Sequence, residues 1–213
     1  MERQKFNKES FEKRVIRGIE RLVLVEPSFS SLVDKYGACR ISPHEKPPFE
    51  YLVRSIISQQ LSSKAAATIV GRVEALLGRK KFNAKNILAL NHAELRGCGL
   101  SNAKVTYSHG IAQAVMDKTI DFDALHSLDT DTSIERLVAL KGVGEWTGQM
   151  FCIFALGHLD VMATADVGLQ RGLQKLYDLP EKPSASQMIE LAKPWQPYRS
   201  VASWYLWRLA DEA

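Results

Sequence analysis

The sequence predicts an all-α fold, read most simply as two helical lobes within one domain spanning residues 1–213. Apolar residues recur at three- and four-residue spacing through most of the chain, the repeat of one helix face. Glycine, proline and small polar residues punctuate that pattern at helix-length intervals. No convincing run of alternating apolar and polar residues argues for a sheet, and CRISP, residues 39–43, is the one candidate for a strand.

Taken in order, NKESFEKRVIRGIERLV places Phe11, Val15, Ile19 and Leu22 on one stripe. PSFSSLVDKYG follows as a short helix stopped by its glycine. KPPFEYLVRSIISQQLSSKAAATIVGRVEALLG reads as two helices joined near residues 60–62. NHAELRGCGL gives a short helix and a turn, and SNAKVTYSHGIAQAVMD a further helix. Short helical segments continue to Leu140, and a last helix starts near Tyr198 and runs through SVASWYLWRLADEA.

With 213 residues, 46% of them apolar, the chain can bury a sizeable core. A net charge of +4 permits a polyanionic partner without demanding one. No apolar run approaches the roughly 18 residues that would span a bilayer. The N-terminal MERQKFNKES is polar and unlike a secretory leader, so no membrane partner is expected. Cys39, Cys98 and Cys152 are odd in number and widely spaced, which fits reduced thiols. They cannot supply the four ligands of an iron–sulfur cluster, and there is no C-x-x-C pair for zinc.

The stretch ALKGVGEWTG, residues 139–148, interrupts two helix-like runs, IERLVAL and QMFCIFAL. Glycine tolerates positive φ and lets backbone approach a partner. Amides of Gly142, Gly144 and the residues after them can converge on one phosphate oxygen at a helix start, where the dipole adds partial positive charge. Val143 would fill the crevice of the hairpin and Lys141 would add a screened charge. The same residues also read as a simple helix cap followed by a tight turn. An echo in ELRGCGLSNAKV repeats the helix, G-x-G, helix order; it reads as a second phosphate turn or as an ordinary glycine-ended helix.

The run LVALKGVGEWTGQMFCIFALGHLDVMATADVGLQRG resembles the helix–hairpin–helix and following aspartate of the base-excision DNA glycosylases, the HhH-GPD superfamily. Asp166 stands 22 positions after Gly144, the spacing that family uses. ISQQLSSKAAATIVGRV, ELRGCGLSNAKVTY and WQPYRSVASWYLWR resemble motifs of its alkylpurine branch, the 3-methyladenine glycosylases of the AlkA/Mag type and, within these, the compact fungal members. The resemblance covers most of residues 47–210. It implies an HhH-GPD fold with a DNA-binding cleft between two lobes and the helix–hairpin–helix near residues 134–155.

The resemblance further implies a monofunctional N-glycosidase that flips a 3-methyladenine or 7-methylguanine out of duplex DNA and hydrolyses its N-glycosidic bond. Asp166 would be the catalytic carboxylate, stabilising positive charge on the sugar and orienting or deprotonating water. Asp160 is a weaker candidate, with a cap or solvated loop as its alternative. Gln60 and Leu61 would fill the hole left by the flipped base; otherwise they are helix-end residues packing locally. Ser62, Lys104, Lys141, Gly142, Val143, Gly144, Glu145, Trp146 and Thr147 complete the expected DNA-binding set. Trp146 stands where bifunctional relatives carry a Schiff-base lysine, so lyase chemistry through it is excluded. Trp146 and Trp207 would line the base pocket by stacking and cation–π attraction, with core packing as the alternative. Catalysis needs no cofactor, although carbonyls of Val138, Leu140 and Val143 would hold a potassium or sodium ion. The implied protein is a monomer working in the nucleus on alkylated or abasic double-stranded DNA.

Two departures bear on activity. The family loop often reads P-A-D-D, whereas residues 163–166 here read A-T-A-D, losing a stiffening proline and one acid. Ser62 stands where some fungal relatives carry histidine. A catalytically weak homologue that binds and sculpts abasic or damaged DNA is therefore the alternative function.

Overall fold

The computed structural model describes residues 8–212; the polar stretch MERQKFN lies outside them. Among the described residues there are twelve α-helices: α1 (Lys8–Val25), α2 (Ser28–Tyr36), α3 (Pro48–Ser58), α4 (Ser63–Leu77), α5 (Ala84–Leu88), α6 (His92–Gly97), α7 (Asn102–Met116), α8 (Thr130–Val138), α9 (Glu145–Phe151), α10 (Val167–Leu176), α11 (Ala185–Ala192) and α12 (Arg199–Ala210). Short 3₁₀ turns occupy Ala124–Ser127 and Lys193–Trp195, and a π-helical turn, Cys152–Leu156, continues α9.

The all-α expectation holds and the strand at CRISP does not. Residues 39–43 are neither helix nor strand. A strand needs a neighbour to pair with, and the described residues contain no other. Ile41 is buried as a single anchor instead. No disulfide joins the three cysteines, and burial pushes the Cys39 thiol up to about 12. No described helix is long and apolar enough to cross a membrane.

The chain divides into two compact units. Unit 1 combines Met1–Pro43 with Cys152–Ala213, and unit 2 is His44–Phe151. In unit 1, α10 lies so close to α12 that a Cβ on Gly172 would sit 2.4 Å from the Leu206 carbonyl oxygen. Phe29 of α2 meets the edges of Trp195 and Tyr205 at 5.3 and 6.1 Å. Helix α1 buries Phe11, Val15 and Leu22 as expected, but Gly18 takes the buried place beside half-buried Ile19. A Cβ on Gly18 would fall 2.8 Å from the Tyr198 ring, so only glycine lets that face seat.

In unit 2, α3 buries Leu52, Val53 and Ile56, and α7 buries Val105 and Ile111. An aromatic chain of Phe49, Phe122, Phe151 and Tyr51 fills the end near α9. Helix α5 is too short to show apolar periodicity, yet like α10 and α11 it starts at a side-chain cap; the three caps are Asn83, Asp166 and Ser184.

Candidate DNA-binding and catalytic site

Unit 2 contains both the expected wedge and the hairpin. Helix α3 stops after Ser58, and the Leu61 amide closes the turn on the Ser58 carbonyl at 3.2 Å. Gln60 adopts φ +57, the left-handed conformation rarely taken by a residue with a Cβ. Ser62 is the N-cap of α4, its hydroxyl accepting from the Ala65 amide at 3.3 Å. These two features throw Gln60 and Leu61 outward, and Leu61 is 38% exposed. That exposure argues against the alternative that Leu61 packs locally.

The hairpin between α8 and α9 is closed by the Val143 amide donating to the Leu140 carbonyl at 3.0 Å. Val143 is buried at 5% exposure, filling the crevice as the sequence suggested, while Lys141 stays exposed. The two glycines have different reasons. Gly142 has φ +93, and a Cβ there would sit 2.4 Å from the Tyr107 ring. Gly144 has nothing of the chain within 4 Å of an added Cβ. Its carbonyl accepts the Gly148 amide at 3.0 Å, so it acts as N-cap of α9 without a side-chain acceptor of its own. The backbone there is open to whatever approaches from outside.

The echo turn shares its shape with the hairpin but not its openness. Gly99 also has positive φ, at +105, and a Cβ on it would press on Ile69 at 3.2 Å. At the start of α7, however, the Ser101 hydroxyl accepts from the Lys104 amide at 3.3 Å. That side-chain cap occupies what Gly144 leaves open, which favours the ordinary reading of the echo.

Three expected DNA-binding side chains are turned to internal work. Thr147 is buried, its hydroxyl oxygen accepting from Gln59 Nε2 at 3.4 Å. Glu145 accepts from Gln149 Nε2 at 3.2 Å. The Lys104 ammonium donates to the carbonyls of Ile57 at 2.8 Å and Gln59 at 2.6 Å. Gln59 itself was not anticipated as a site residue, yet it links the wedge turn to the hairpin through Gly142. A groove of 530 Å³ is lined by Gln60, Ser101, Lys104, Tyr107, Gly142 and Gly144, among others. Trp146, on the exposed side of α9, is 44% exposed, which overturns core packing for it.

In unit 1, Asp166 is the N-cap of α10. Its Oδ1 accepts from the Leu169 amide at 2.9 Å and from Trp207 Nε1 at 3.0 Å. Phe154 stacks on Trp207 with centroids 5.7 Å apart, fixing the indole that holds the carboxylate. Trp207 therefore spends its indole N–H on the carboxylate, whereas in the same run Tyr205 donates its hydroxyl to the Gly37 carbonyl at 3.1 Å and the Trp204 ring lies under the Arg208 guanidinium. The missing loop proline is replaced by hydrogen bonds. The Asp166 amide reaches the Ala163 carbonyl at 3.0 Å, and Gln170 Nε2 donates to the Thr164 carbonyl at 3.0 Å. Asp160 is bound differently: Arg199 grips it through two side-chain bonds of 2.7 and 3.0 Å, and donates its own amide at 3.3 Å. Among the described residues no group of three or more His, Cys, Asp or Glu is placed to hold a metal ion.

The family model described as HhH-GPD superfamily base excision DNA repair protein matches residues 53–197. The chain is 34% identical over 197 residues to the alkylbase DNA glycosidase-like protein mag2 of Schizosaccharomyces pombe, covering 91% of this chain and 92% of that one. A DNA-3-methyladenine glycosidase from Bacillus halodurans superposes with a TM-score of 0.83 at 36% identity, over 91% of this chain and 89% of that one. The S. pombe 3-methyladenine DNA glycosylase Mag1, in a complex with abasic DNA, superposes with a TM-score of 0.80 at 32% identity, over 90% and 95%. The chain belongs to the HhH-GPD superfamily of base excision DNA repair proteins.

Proposed function

We propose that this protein is a DNA glycosylase that excises alkylated purines such as 3-methyladenine, hydrolysing the N-glycosidic bond without lyase chemistry. The single observation that carries the reading is the seating of Asp166. Its Oδ1 accepts from the Leu169 amide and from the Trp207 indole N–H, which fix the carboxylate at the start of α10. A fixed anion beside the sugar stabilises the positive charge that develops as the base departs. The same carboxylate orients or deprotonates the attacking water. An alkylated purine is already cationic and a good leaving group, so this apparatus suffices.

The remaining residues bind rather than react. Gln60 and Leu61 enter the duplex where the base is flipped out, offsetting the lost stacking. Amides of Gly142, Gly144 and the residues after it take a backbone phosphate, with Lys141 adding charge. The Trp146 ring and Trp207 offer aromatic faces to a cationic base. The carbonyls of Val138, Leu140 and Val143 would hold a potassium or sodium ion; Leu140 retains a lone pair beyond the one given to Val143. Such an ion would add positive charge beside the phosphate. The partner is double-stranded DNA carrying alkylated or abasic sites, bound by a monomer, and the fungal relatives support a nuclear location.

The S. pombe relative is named glycosidase-like, and the A-T-A-D loop and Ser62 depart from the family pattern. They support a second reading, a binder of abasic or distorted DNA with little turnover. One gel assay separates the two, using an oligonucleotide with a single 3-methyladenine analogue and a second with an abasic analogue. Strand scission after alkali on the first supports the enzyme. Tight binding of the second with no base release from the first supports the binder.

A further inference from the structure

We propose that Gln59 and Lys104 are positioning residues, a polar brace that presets the Leu61 wedge against the hairpin so that lesion insertion and backbone grip occur together. The inference rests on the DNA-binding reading above and deepens it.

The last carbonyls of α3 have no helical partner beyond Ser58. The Lys104 ammonium meets two acceptors there, the carbonyls of Ile57 and Gln59 at 2.8 and 2.6 Å. A cation is favoured at that end by the helix dipole. Burial lowers the Lys104 pKa, which is the cost of holding an ammonium away from water. Three residues further along the same face of α7 lies Tyr107, whose ring leaves no room for a side chain at Gly142. Helix α7 thus touches the wedge turn with one residue and the hairpin with the next on that face.

Gln59 completes the brace. Its carbonyl is held by Lys104, while its side-chain amide donates to the Gly142 carbonyl at 3.2 Å and to the Thr147 hydroxyl at 3.4 Å. Gln60, the next residue, sits at φ +57. Such a conformation is strained for a residue with a Cβ and persists where the surroundings over-determine it. The bonds on either side of Gln59 provide that constraint. The ammonium is turned toward two carbonyls, so Lys104 acts through the wedge turn rather than as a phosphate ligand.

A phosphate-binding lysine and a bracing lysine give opposite signatures. Removing a phosphate contact weakens all DNA equally and lowers the salt slope by about one. Removing a brace lowers the preference for abasic over intact duplex and leaves the slope in place. The test measures affinity for abasic-analogue and intact duplex over a salt series, for wild type, Gln59→Met, Lys104→Met and Lys104→Arg, with thermal melts to verify folding. In parallel, hydrogen exchange is followed in the DNA-free proteins. Gln59→Met and Lys104→Met should each cost most of the abasic preference with the wild-type salt slope, and Lys104→Arg should restore much of it. Each Met variant should also speed exchange both in residues 59–62 and in residues 142–144.

A Lys104→Met protein that loses affinity equally on both duplexes, with a shallower slope, overturns the brace in favour of a phosphate contact. Unchanged exchange in either segment overturns the coupling. A wild type with no abasic preference removes the reading of the previous subsection, and the exchange measurement then decides the brace alone.

Discussion

The acidic loop of unit 1 and the hairpin of unit 2 present their chemistry in opposite ways. In the loop a side chain is the working part: the Asp166 carboxylate, fixed by the Leu169 amide and the Trp207 indole. In the hairpin the working part is backbone. Val143 is buried, Thr147 is turned inward, and Gly144 has no side chain. Two acids within the loop sharpen the contrast. Asp160 is gripped by the Arg199 guanidinium, whereas Asp166 Oδ1 caps α10 and accepts from the Trp207 indole. A side-chain site should fail when one functional group is altered. A backbone site should fail only when the backbone is blocked or reshaped.

The largest expected effect follows from the loop. Asp166→Asn keeps an oxygen for the Leu169 amide, so the cap survives, but it removes the charge. Excision measured in a single turnover should fall by about a hundredfold or more, a loss of about 2.7 kcal/mol in transition-state stabilisation. Affinity for DNA should hold or rise, because one negative charge near the phosphates is gone. A residual rate within a few-fold of wild type would place the carboxylate elsewhere.

The hairpin should show the next largest effect. Gly144→Asp fits the chain, since nothing lies within 4 Å of the added Cβ. It sets a carboxylate where a phosphate is taken. Affinity for every duplex, damaged or intact, should drop by about tenfold, as expected for loss of a non-specific backbone contact. A folded variant that binds normally would remove the hairpin from the interface.

A smaller change belongs to the wedge. Leu61→Ala should cut the ratio of abasic to intact affinity by about threefold to tenfold at fixed salt. The weak, salt-dependent binding of intact duplex should remain. Equal losses on both would make Leu61 a structural residue. Smallest of all, Lys141→Ala should weaken binding by about twofold, and less as salt rises, because its charge is exposed and screened.

The same contrast explains what was legible in the sequence. Asp166 was legible through the resemblance of its loop to the HhH-GPD motif, a match of residue type and of distance from Gly144. Its partner was not: Trp207 lies in the apolar run WYLW, and nothing in that pattern tells which indole turns its N–H to a carboxylate. The hairpin was readable through its glycines, since backbone exposure leaves that trace alone. Gln60 was singled out while its neighbour Gln59 was passed over. The difference between them is the left-handed turn at Gln60, which a non-glycine residue does not announce. CRISP read as a strand because apolar and polar residues alternate, but pairing is a tertiary property.

The most direct test crosses the two regions in one experiment. Asp166→Asn and Gly144→Asp are each assayed for DNA affinity and for single-turnover release of 3-methyladenine at saturating protein. The predicted result is a crossed pattern: Asp166→Asn binds and does not excise, while Gly144→Asp binds weakly but, once saturated, excises within a few-fold of the wild-type rate. Parallel losses of binding and chemistry in both variants would contradict the division of labour between a side-chain site and a backbone site.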